Sequence, residues 1–137
     1  MRPSEPPPPS SAPTPDLTAE ATLSAVLAAL AAHDRPSPDH GVAVAYAFAS
    51  DRMRAALGDE RAFGRALHNA LNAPLLGHVA AQVTSLDERG DAARAAVEVT
   101  TTGGDSVRYT VALVRPDRGP RRGCWLIGGI AREGVDL

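Results

Sequence analysis

The stretch Ala93-Arg94-Ala95-Ala96-Val97-Glu98-Val99-Thr100-Thr101-Thr102-Gly103-Gly104-Asp105-Ser106-Val107-Arg108-Tyr109-Thr110-Val111-Ala112-Leu113 decides the architecture. Ala93, Ala95, Val97 and Val99 recur with period two, and so do Val107, Tyr109, Val111 and Leu113, the alternation of two strands that each bury one face. The loop between them sets the pairing. A two-residue turn at Gly103-Gly104 would put Glu98 opposite Tyr109 and mix the faces. A three-residue loop, 102–104, pairs Val97 with Tyr109, Val99 with Val107 and Glu98 with Arg108. The three-residue loop is therefore expected, with an apolar concave face and an outer face on which Glu98 and Arg108 form a cross-strand ion pair.

Two further strands flank this hairpin. Val79, Ala81 and Val83 alternate in a strand that begins after His78, and a last strand is expected over 124–130. Upstream the period changes to that of a helix. Leu23, Val26, Leu27 and Leu30 stand at i, i+3, i+4 and i+7, a stripe that faces a core, and Pro36 stops this first helix after Asp34. Ser37 can cap a second helix with Pro38 in its first turn; 41–49 then carries no charge, which suits a short helix buried on most sides, with Tyr46 and Phe48 as its bulk. Ser50 opens a short helical turn that closes at Gly58. Asp59 starts a third helix with Phe63, Ala66, Leu67, Ala70 and Leu71 on one face, and Pro74 marks its end. The expected fold is α+β, with N-terminal helices packed on a curved antiparallel β-sheet.

The 137 residues divide into a proline-rich tail (1–15), one domain (16–133) and a short C-terminal tail (134–137). Residues 1–15 hold seven prolines and almost no apolar side chains, too little to offset the entropy of ordering, so the tail is expected to be disordered and to act as a spacer. A net charge of -2 gives no broad pull toward nucleic acid or acidic lipid. All 14 basic residues are arginine, which excludes a lysine nucleophile or Schiff base. The single cysteine, Cys124, can make no internal disulfide and supplies no paired zinc-ligand spacing. The uncharged helical run 21–33 is too short to cross a bilayer, and no signal-peptide pattern precedes it. A soluble protein located in the cytoplasm is expected, an organelle-targeting segment being the alternative.

Three stretches are more distinctive: Val44-Ala45-Tyr46-Ala47-Phe48-Ala49-Ser50, Pro74-Leu75-Leu76-Gly77-His78 and Gly123-Cys124-Trp125. With the order of elements, they resemble the nuclear transport factor 2-like superfamily, and within it a bacterial and plant family known only as a domain of unknown function. The resemblance covers roughly 17–132. It implies a cone, a curved cystatin-like sheet wrapped around helices with a pocket at its open end, and a homodimer formed through the sheet. Enzymes of the superfamily place an Asp, His or Tyr inside the cone. The inner positions here are Val97, Val99, Val107, Tyr109, Val111, Leu113, Trp125 and Ile127, with no carboxylate on a strand.

Acid-base chemistry needs a titratable group tuned by burial or by a neighbour. His78, at the junction of loop and sheet, is the candidate catalytic base, with His40, Asp39 and Asp51 as potential partners. The competing reading has His78 ordering the 75–77 turn through a backbone hydrogen bond and the two aspartates stabilising helix N-termini. Tyr46, Tyr109 and Trp125, with His78, form the candidate ligand-binding set, since an apolar body with a polar tip suits a cavity wall; equally, each is suited to a core. Cys124 precedes Trp125 and should point to the opposite face. His33, His40, His68 and His78 have neither ligand spacing nor partners, so no metal is expected, and no phosphate-binding loop is present, so no cofactor. Arg115, Arg118, Arg121 and Arg122 cluster in the last hairpin and could meet a phosphate or an acidic partner, or simply be solvated. Three functions remain in contention: an accessory module binding a small apolar ligand, a cofactor-free isomerase, dehydratase or hydrolase, and a protein-interaction or dimerisation module.

Overall fold

The computed structural model describes residues 12–32, 34, 40–69 and 73–133. Its elements run α1 (Ala19–Ala31), α2 (His40–Ala47), α3 (Asp51–Leu57), α4 (Glu60–Leu67), a 3-10 turn (Ala73–Leu75), then β1 (Ala80–Arg89), β2 (Ala92–Thr100), β3 (Ser106–Val114) and β4 (Leu126–Arg132). The four strands form one antiparallel sheet in the order β1-β2-β3-β4. This is the α+β class the sequence predicts. The expected positions 1–11, His33, 35–39, 70–72 and 134–137 lie outside the described residues, and with them most of the proline-rich tail, the Ser37 cap and Asp39.

Caps explain where the helices begin. The hydroxyl of Thr18 accepts from the Ala21 N–H, that of Ser50 from Met53 and the carboxylate of Asp59 from Ala62, each taking up a donor left open in a first turn. Gly58 closes α3 at φ 97°, and a side chain there would meet the Ala62 methyl at 2.9 Å. Leu23, Val26, Leu27 and Leu30 are buried along α1, as their spacing requires. The turn over 51–57 is long enough to be a helix of its own, so among the described residues four α-helices precede the sheet rather than three.

The central hairpin has the expected register: Val97 pairs with Tyr109, Glu98 with Arg108 and Val99 with Val107. Thr101 and Asp105 close a three-residue loop, the Thr101 N–H donating to the Asp105 carbonyl at 2.9 Å, and Gly104 supplies its positive φ of 87°. On the outer face Arg108 Nε lies 3.4 Å from Glu98 Oε2.

The flanking strands differ from the sequence reading. β4 starts at Leu126, not at residue 124, because Gly123 and Cys124 donate to the carbonyls of Pro116 and Arg121 and so belong to the turn. A bulge between Ala112 and Leu113 pairings leaves Gly128 unmatched, so Ile127 faces Leu113 and Ile130 faces Val111 on the inner side. In β1 a bulge at Thr84 similarly puts Val83 opposite Val97 and Leu86 opposite Ala95. Val79, on the inner side by alternation, is 63% exposed, because it lies at the start of an edge strand beyond the reach of the core. The opposite edge is partly closed: residues 48–50 bridge to Ile127, with Ser50 N–H donating to the Ile127 carbonyl and Ile127 N–H to that of Phe48.

Candidate functional site

The inner face of the sheet and the apolar face of α1 enclose one interior, and side chains fill it. Leu23, Val26, Leu27 and Leu30 descend on Tyr109 and Ile127, leaving a void of about 10 Å³, room for a single water at most. Tyr109 is the one polar-tipped side chain in that lining and has no exposed surface. Burial raises its phenol above the ordinary range, and Arg132, its cross-strand neighbour, acts in the opposite direction.

The other three candidate residues stand elsewhere. Tyr46 is half-buried on α2; its ring meets Phe63 of α4 edge-on at 5.5 Å, and the Arg54 guanidinium lies 4.5 Å from its centroid while donating to its carbonyl oxygen. Trp125 is buried in the main apolar cluster, and Arg115 covers its ring at 4.9 Å. His78 is buried with Nδ1 2.7 Å from the Leu75 carbonyl oxygen. A carbonyl only accepts, so Nδ1 carries the proton and the ring ties down the turn before β1. Tyr109 alone borders the interior void, and the four side chains do not converge on one cavity.

The arginine hairpin divides in two. Arg115 pairs with Asp91 at 2.8 Å besides covering Trp125, and Arg121 donates to the carbonyls of Ala47 and Ala49 and to Asp51. Both guanidinium groups are committed to holding the fold, whereas Arg118 and Arg122 are exposed. Cys124 is buried outside the main cluster that holds Trp125 and Ile127, its thiol 3.9 Å from the Arg122 carbonyl. Among the described residues no three His, Cys, Asp or Glu side chains come together as metal ligands, and no helix is long and apolar enough to cross a membrane.

The larger hollows are on the surface. One of about 440 Å³ lies where Ser50, Asp51 and Arg52 overhang Val114, Leu126 and Gly128. Another, of about 300 Å³, runs between α1 and the start of β1, walled by Ser24, Leu27, Ala28 and Ala31 on one side and by His78, Val79, Ala81 and Val83 on the other. The sequence reading did not single out this second groove. Its signal was the uncharged run 21–33: a surface helix with no charged face leaves apolar positions toward water.

Comparison with protein-family models, with curated proteins and with solved structures finds no match to the chain.

Proposed function

We propose that this chain is a non-catalytic interaction module of the cone-shaped, nuclear transport factor 2-like type, working as a homodimer formed through its sheet. The observation that carries this reading is the filled interior. A drug-sized ligand needs a cavity of roughly 300–1,000 Å³, and a void of about 10 Å³ is far below that range. Catalysis inside the cone would also need a base beside the reacting atom. His78 instead has Nδ1 engaged with Leu75 and is not among the side chains around the void. What remains prominent is surface: a sheet with one uncovered outer face and one long free edge.

The test is gentle purification followed by native mass spectrometry and light scattering over a range of concentrations. An empty dimer supports the reading. A monomer that retains a stoichiometric small molecule overturns it in favour of the ligand-binding module.

A further inference from the structure

Strand β1 is an edge of the sheet, and its two halves are defended differently. In the second half Thr84 is bulged out of the ladder and Asp87, Glu88 and Arg89 follow. Bulges and charges are the means by which natural edge strands discourage further pairing. The first half has neither: residues 79–83 read Val-Ala-Ala-Gln-Val, without charge or proline, and 63% of Val79 is exposed. Backbone groups of this segment that point away from β2 are open to a new strand. Beside it runs the 300 Å³ groove, whose far wall is the Ser24, Ala28 and Ala31 side of α1, a helix with no charge after Glu20.

We propose that the occupant of this groove and edge is the same segment of a second copy, paired antiparallel about Ala81 so that two sheets join into one. The proposal rests on the interaction-module reading and specifies its surface. Register follows from the ends of the open segment. His78, tied to the Leu75 carbonyl, bounds it on one side and the Thr84 bulge on the other, leaving five residues, 79–83, with Ala81 at the centre. Pairing about that centre sets Val79 against Val83 of the second copy, Ala80 against Gln82, and Ala81 against itself. Val79, Ala81 and Val83 lie on the α1 side of the sheet, so the two grooves merge and the small side chains of each α1 face those of the other.

Charge favours a second copy here over the outer face of the sheet. That face carries Arg94, Glu98 and Arg108, whose desolvation opposes association, whereas the edge segment meets itself with no like charges opposed. The strip is small beside the roughly 800 Å² per partner of a standard interface, so the dimer should dissociate on dilution.

Disulfide trapping tests the arrangement. In a Cys124→Ser background, Ala81→Cys places two thiols across the axis, where antiparallel strands hold facing Cα atoms about 4.5–5.5 Å apart, within disulfide reach. Thr110→Cys, in the middle of the outer face, is the comparison. Under mild diamide oxidation Ala81→Cys should cross-link well ahead of Thr110→Cys, and Val79→Arg, at an exposed position where the chain can still fold cooperatively, should shift light scattering toward monomer. A dimer that cross-links through Thr110→Cys, or one that ignores both Ala81→Cys and Val79→Arg, overturns the edge interface while leaving the interaction module standing. A monomer at every concentration overturns both.

Discussion

Arg121 donates to the carbonyl oxygen of Ala49, a fully buried residue 72 positions earlier in the chain. The same guanidinium reaches Ala47 and the carboxylate of Asp51, so one side chain from the last hairpin closes the junction between α2 and α3. Its partners are unequal. The Asp51 side chain is 95% exposed and that of Arg121 only 18%. Arg121→Met should therefore destabilise the fold by about 1–3 kcal/mol, because it strands the carbonyl of buried Ala49, whereas Asp51→Asn should lose less than about 1 kcal/mol. Urea unfolding of the two variants measures the difference; equal losses would mean that the ion pair, not the carbonyl bonds, does the holding.

Thr22 offers the opposite sign. It is wholly buried on α1, and its hydroxyl is the one buried side-chain oxygen among the described residues without a hydrogen-bond partner. Thr22→Val keeps the shape and removes the stranded group, so it should raise stability by about 1–2 kcal/mol, visible as a higher melting temperature.

The buried phenol of Tyr109 predicts how the fold fails in alkali. Burial, partly countered by Arg132, raises its folded pKa above that of the unfolded chain. The protonated form is thus favoured by folding: the stability linked to it is complete below about pH 10 and is lost as the pH climbs through the folded value. Tyr109→Phe should flatten the decline of melting temperature above about pH 10 relative to the parent and leave its shape at neutral pH unaltered.

Trp125 is the only tryptophan, buried beneath Arg115. Trp125→Ala should cost about 3–5 kcal/mol through the cavity it leaves. Arg115→Ala uncovers the ring and should move its fluorescence emission to longer wavelength in a protein that still unfolds cooperatively.

The sequence makes some of this plain and hides the rest for definable reasons. The pairing of Val97 with Tyr109 was legible because strict alternation and loop length together allow one register. The caps at Ser50 and Asp59 were legible because a short polar side chain before an apolar stripe has few other uses. The bulges at Thr84 and Gly128 were not, and each reverses the alternation after it; adjacent glycines at 128 and 129 were the available sign of the second. The candidate side chains are large groups with polar tips by residue type alone. Where their interior ends is a matter of volume, set by how far Leu23, Val26, Leu27 and Leu30 descend, and no spacing of residues encodes that.

The bridge from Ala49 to Ile127 gives the sheet a valence. A strand arriving at β4 would meet residues 48–50 already seated and, next to them, the unmatched Gly128, a poor template for pairing. Only β1 accepts. A unit with two open edges can add copies without limit and grow into a fibre, but a unit with one can do so a single time, after which neither copy has anything left to offer. The segment that turns the chain from α2 into α3 thus also shields part of the β4 edge, and displacing it, by Phe48→Pro or by weakening the Arg121 clamp, should bare that edge and promote aggregation.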